Sequence, residues 1–159
     1  MPEKFYTAKD LAPINSGGAW NWTLTSNLVS FVKTAAADTT KLLFTVPRDT
    51  KSSGLTDATP SGIRVNFVVA TAGLSSAPTA TVNKVTYNAT TRAISRAAIT
   101  STVTIAGTDT VGTSAGTYSA DITFAPQQLL DNEALTVEVS FVAAATSALS
   151  VGGAGVLST

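Results

Sequence analysis

The sequence predicts an all-β fold, a two-sheet sandwich or a barrel, and three observations carry that reading. Apolar residues recur with a period of two in one stretch after another, the pattern of strands with one buried face. Clusters of Gly, Pro, Asn and Asp separate these stretches, giving about eight or nine strands. Ser and Thr supply most of the polar surface, while the helix formers Glu, Lys and Leu are scarce. That balance favours pleated, half-buried surfaces over helices.

The firmest core strand covers residues 134–142, where Leu135, Val137, Val139 and Phe141 alternate with Thr136, Glu138 and Ser140. After residues 143–147, the run 148–156 carries Leu149 and Val151 and reads as the returning arm of a hairpin. Its Gly152, Gly153 and Gly155 weaken a strand but permit close backbone approach. They are therefore candidate contacts to a partner subunit.

From the N-terminus, residues 1–18 hold Pro2, Pro13 and Ser16-Gly17-Gly18 without a sustained period, and read as an extended arm before a domain spanning 19–159. Phe5, Tyr6, Leu11 and Ile14 are the apolar residues by which that arm would dock, on its own domain or on a neighbour. Trp20, Trp22 and Leu24 share one strand face, and Val29 and Phe31 continue it only through a bulge or turn at Ser26-Asn27. Leu42, Phe44 and Val46 lead a strand that Pro47 ends. Residues 48–62 form the longest polar, turn-rich segment and read as a loop, of the length that is often functional. Ile63, Val65, Phe67 and Val69 then point inward, with Arg64 and Asn66 outward. Residues 71–80, with Gly73 and Pro78, read as a turn, and Val85 and Tyr87 belong to a strand over 80–88. Residues 88–91 read as a loop, because Asn and Thr side chains bond their own backbone. Ala97, Ile99, Ser101, Val103 and Ile105 share a face of one long strand over 94–106. Residues 107–116 form a second Gly/Thr/Asp-rich loop before Tyr118, Ala120, Ile122 and Phe124. Gln127-Gln128-Leu129-Leu130 is the one plausible helical turn.

Composition limits the chemistry. At 159 residues the chain suits one domain with a sizeable core. It has no Cys and no His, which removes disulfides, thiolate metal sites and the commonest general base. Ten basic and ten acidic residues leave a formal net charge of zero, with only 13% of residues charged. A surface so poor in cations argues against nucleic-acid binding. Lys33, Lys41, Arg92 and Arg96 are scattered, without the interleaved aromatics that single strands need. The first ten residues lack the apolar core of an export signal, and no apolar run is long enough to span a membrane. We therefore expect neither a cleaved leader nor a membrane partner.

No catalytic constellation emerges, and the expectation is a non-enzymatic protein without cofactor or metal. Asp131-Asn132-Glu133 offers oxygens to calcium but reads better as a turn with solvated acids. Asp49, Asp57 and Asp109 lie in loops, and nothing in their spacing pairs them for glycoside hydrolysis. Asn21-Trp22-Thr23 and Asn88-Ala89-Thr90 match the glycosylation sequon by chance in a Thr-rich chain. Trp20 and Trp22 would stack on sugars if exposed, but their shared face points to burial.

The order of elements resembles viral jelly-roll structural proteins, most closely the capsid decoration (cement) and fibre-head proteins of tailed phages. The resemblance runs over residues 19–157. It rests on Ala19-Trp20-Asn21-Trp22-Thr23, a strand closing at Val46-Pro47, Lys84-Val85-Thr86-Tyr87 leading into residues 93–99, and residues 124–131 before strands at 135–141 and 149–156. It implies a single antiparallel two-sheet sandwich of jelly-roll type, about eight strands with an extended N-terminal arm. It further implies a virion structural protein on the capsid surface, a homotrimer contacting the major capsid protein and assembled in the host cytoplasm. The arm would then lie on a neighbouring subunit. A receptor- or carbohydrate-binding fibre head is the alternative, using loops 48–62 and 107–116 at one end of the sandwich to hold a glycan or receptor. A small jelly-roll coat protein is a second alternative. Related sandwiches serve as lectins and tumour-necrosis-factor-like domains, so function does not follow from the fold.

Overall fold

A computed structural model describes residues 3–7, 12–14, 20–25, 28–33, 39–47, 60–70, 73–143 and 149–158. They form twelve strands: β1 (Glu3–Thr7), β2 (Ala12–Ile14), β3 (Trp20–Thr25), β4 (Leu28–Lys33), β5 (Thr39–Pro47), β6 (Pro60–Val69), β7 (Leu74–Asn88), β8 (Ala93–Ile99), β9 (Ser101–Gly107), β10 (Gly116–Phe124), β11 (Glu133–Ala143) and β12 (Leu149–Ser158). Among the described residues every strand pairing is antiparallel, in one sheet of seven strands and one of five. The larger sheet runs β3-β4-β12-β6-β10-β9, with β1 also paired to β12, and the smaller runs β2-β5-β11-β7-β8. Within them, β4-β12-β6-β10 faces β5-β11-β7-β8 in jelly-roll order, the chain repeatedly changing sheets as it winds. The expected eight strands are that frame; β1, β2, β3 and β9 extend its edges.

The period-two pattern places the core. Ile63, Val65, Phe67 and Val69 on β6, and Tyr118, Ala120, Ile122 and Phe124 on β10, are all buried against Leu135, Val137, Val139 and Phe141 of β11. Phe67 joins the layers: its ring lies 5.3 Å from that of Phe141 across the sandwich, edge-on, and 5.3 Å from its sheet neighbour Tyr118, stacked. Such aromatic geometries add to the stabilisation from buried area.

Several elements differ from expectation for identifiable reasons. The runs at 134–142 and 148–156 are not hairpin arms: β11 lies in the smaller sheet and β12 in the larger, paired to β6. The expected long strand over 94–106 divides at Thr100 into β8 and β9, which pair with different sheets. Ile99, Val103 and Ile105 still pack on the core, so the shared face survives the crossing. The expected turn at 71–80 is mostly strand, since β7 begins at Leu74. Pro78 sits where the β7–β11 register slips between Ser140 and Val142, a bulge that spares it a ladder hydrogen bond. Residues 127–130 form no helical turn; Leu129 is buried, and Gln127 N–H donates to the Pro60 carbonyl.

The arm becomes two strands. Phe5 and Tyr6 lie on β1, whose Cα partners on β12 are Gly155 and Ala154, while Ile14 on β2 pairs with Lys41 of β5. Main-chain bonds thus tie the arm to both sheets of its own domain, and an arm on a neighbour would first have to leave them. Leu11 lies outside the described residues.

Candidate functional site

The outer face of the smaller sheet follows from register. On β11, Leu135 and Val137 point into the core, so Ala134, Thr136 and Glu138 point out, and their strand partners share that face. One row runs Pro47, Ala134, Val85, Arg96; the next runs Thr45, Thr136, Asn83, Ala98. Beyond Val85 the face ends in the pair Tyr87 and Ile94, which flank the turn of the β7–β8 hairpin. Asn88 makes that turn as the sequence suggests: its Oδ1 accepts the Thr90 and Thr91 N–H groups, each at 3.0 Å.

Tyr87 is 45% exposed and Ile94 67%. Both faces of β8 are open to solvent from Ala93 to Ala98. The Tyr87 backbone is nevertheless fixed. Its N–H donates to the Asn132 carbonyl at 2.9 Å, and its carbonyl accepts the Asn132 amide at 2.8 Å. The side chains of Asn83, Tyr87 and Arg96 make no hydrogen bond or ion pair with another described residue. The result is an exposed phenol ring on a fixed backbone beside an isoleucine, on a face that mixes Thr45, Thr136, Asn83 and Arg96 with Pro47, Ala134, Val85 and Ala98. Such a surface can stack on a flat apolar group while donating and accepting hydrogen bonds around it.

At this end of the sandwich Glu133 is structural. Glu133 accepts the Leu130 N–H at 2.9 Å, lies 3.1 Å from Lys84 Nζ, and accepts the Thr86 hydroxyl at 3.4 Å. The Leu130 N–H first, and then Lys84, hold its carboxyl below the usual carboxylate range. With Asn132 engaged on Tyr87, the 131–133 segment is a latch between loop and sheet. Among the described residues no three acidic side chains converge as metal ligands would.

At the opposite end, Asp109 organises the 107–116 loop. Its Oδ1 accepts the Gly112 and Val111 N–H groups at 2.6 and 2.8 Å, and Oδ2 accepts the buried Tyr118 hydroxyl at 2.9 Å. The Gly112 and Val111 bonds lead in lowering its pKa to about 2, and burial pushes the Tyr118 phenol up. A carboxyl held ionised cannot serve as a general acid at neutral pH. The expected use of loops 48–62 and 107–116 at one end does not fit their anchors. The first leaves Pro47 and rejoins at Pro60, whereas the second runs into Gly116, the partner of Val69 at the far end of β6. Asp49 and Asp57 lie outside the described residues, as do the side chains of Trp20 and Trp22.

The candidate contacts Gly152, Gly153 and Gly155 sit on β12, which is enclosed on both edges by β6 and by β4 with β1. Gly152 is the extra residue of a bulge between Val151 and Gly153, and Gly153 and Gly155 are buried within the single chain. The close approach these glycines permit is made by the protein's own strands. On the neighbouring β6 and β10, Arg64 donates to Asp121 through Nε and Nη2, both at 2.7 Å, on the outer face of the larger sheet.

No site residue on the smaller sheet stood out from sequence spacing. The available signal was the turn at Asn88: read as a hairpin, it pairs Tyr87 with Ile94 and puts Arg96 on their face.

No family model matches the sequence, and no curated protein does. Among solved structures, one from work on the promiscuous specificity of carbohydrate-binding modules of the β-sandwich superfamily superposes with a TM-score of 0.50 at 10% identity, over 92% of this chain and 56% of that one. This chain thus spans little more than half the length of that structure. A family 11 carbohydrate-binding module from Clostridium thermocellum, in complex with a β-1,3-1,4-mixed-linked tetrasaccharide, gives 0.44 at 7% identity, over 98% and 95% of the two chains. The first likeness agrees with the β-sandwich architecture described above.

Proposed function

We propose that this chain is a non-catalytic carbohydrate-binding module whose glycan lies on the outer face of the smaller sheet, stacked on Tyr87. The carrying observation is the exposed Tyr87 ring, its backbone fixed by Asn132, on a face lined by Asn83, Thr136, Ile94 and Arg96. A pyranose presents an apolar C–H face and a rim of hydroxyls, and this surface offers a partner for each. The β-sandwich likeness to a carbohydrate-binding module supports the same reading. A glycan array on the whole chain tests it. We expect binding to at least one polysaccharide class, and Tyr87→Ala should lower that affinity about tenfold or more, the loss of one aromatic contact surface. An array without hits, or binding indifferent to Tyr87→Ala, would overturn it.

A second reading is the virion decoration protein that the sequence resembles, a homotrimer seated on a major capsid protein. Its support is the eight-strand jelly-roll order together with a surface of low charge. Co-sedimentation with empty capsids tests it; tight capsid binding beside an empty glycan array would make it the better account.

A further inference from the structure

Building on the carbohydrate reading, we infer that the favoured ligand is an acidic glycan, one whose carboxylate or sulfate is received by Arg96. Tyr87 and Ile94 are Cα partners, as are Val85 and Arg96, so the four make a two-by-two block on one face. In such a block the diagonal from Tyr87 to Arg96 spans roughly 7–8 Å between backbones, within reach of long side chains. A sugar stacked on the phenol therefore presents a ring substituent, or that of the next residue, to the guanidinium. Arginine suits this role because its planar donors pair with carboxylate or sulfate oxygens in a fork.

Charge complementarity supports an anion here. Among the described residues no carboxylate lies within ion-pair distance of Arg92 or Arg96, whereas Arg64 and Lys84 each have an acidic partner. Among the described residues, the β7–β8 hairpin thus carries two cations without an acidic partner beside its exposed apolar pair. The same arrangement disfavours a second copy of the chain. Arg96 is the middle residue of β8, so antiparallel pairing of two β8 edges about a two-fold axis would bring Arg96 against Arg96.

The test is calorimetric titration of the whole chain with four probes: oligogalacturonate, dextran sulfate, a neutral mixed-linkage β-glucan oligosaccharide, and poly-glutamate. We expect at least one acidic glycan to bind more tightly than the neutral one. Arg96→Gln should remove that preference, weakening the acidic glycan about tenfold more than the neutral one, the loss of one charge-assisted pair. Oligogalacturonate and dextran sulfate separate a carboxylate from a sulfate preference. If Arg96→Gln changes nothing while Tyr87→Ala weakens every glycan, the acidic preference is wrong and the carbohydrate site stands. If Tyr87→Ala spares all glycans, the site itself is wrong. Poly-glutamate binding as tightly as the acidic glycans would reduce the hairpin to a non-specific anion surface and overturn the inference. Both side chains are exposed, so unchanged melting temperatures will show that the variants fold.

Discussion

At the residue scale, Asp109 ties loop closure to protonation. Its carboxyl titrates at about 2 in the folded chain against 3.8 for the free group. A depressed carboxylate stabilises fully above its unfolded value, so this contribution is lost as pH falls from about 4 through about 2. Urea midpoints measured over that range should drop, and Asp109→Asn, which keeps an acceptor for the two N–H groups but cannot ionise, should flatten the dependence. Within the same loop Gly112 has φ +72°, and an added Cβ would meet the Phe67 ring at 3.3 Å. Gly112→Ala should therefore lower the melting temperature through strain and crowding together. In the core, Leu135→Ala removes a fully buried side chain and should cost about 2–5 kcal/mol by urea denaturation. By contrast the Arg64–Asp121 pair is part-exposed, at 40% and 26% of the side chains. A double-mutant cycle there should return no more than about 1 kcal/mol, despite the two-pronged geometry.

At the element scale, β1 and β2 matter as edge covers. β1 pairs along the glycine-rich half of β12, and β2 along β5. Removing residues 1–14 should expose both edges and make the chain less stable and prone to associate, visible as a lower melting temperature and light scattering on heating. The central strands were legible from alternation alone: β6, β10 and β11 bury every residue the period marks as inward. Where each strand pairs was not. The run after residue 143 alternates too weakly to reveal its partner, and its true partner, β6, lies far back in the sequence. Pro78 misled as a turn because a proline at a bulge and a proline at a turn look alike without the partner strand. The candidate site was hidden for the same reason: Tyr87, Ile94 and Arg96 become one surface only after the hairpin register is known. The Asp109 network stayed hidden as well, because a loop aspartate betrays its backbone donors only once the loop has closed.

At the scale of the whole molecule, most strand pairings join residues distant in sequence, and folding should be slow for a chain of this size. Stopped-flow refolding monitored by tryptophan fluorescence would check that. The position of β12 sharpens the expectation. The last of the twelve described strands in chain order lies at the centre of the larger sheet, between β6 and the pair β4 and β1. On a ribosome, β1, β3 and β4 emerge before β12 and have no route to the rest of their sheet until residues 149–158 clear the exit tunnel. Order of synthesis and order of assembly therefore run opposite ways. The N-terminal strands must wait, and a chain arrested before β12 would hold a sheet split down its middle, a ready target for chaperones and proteases.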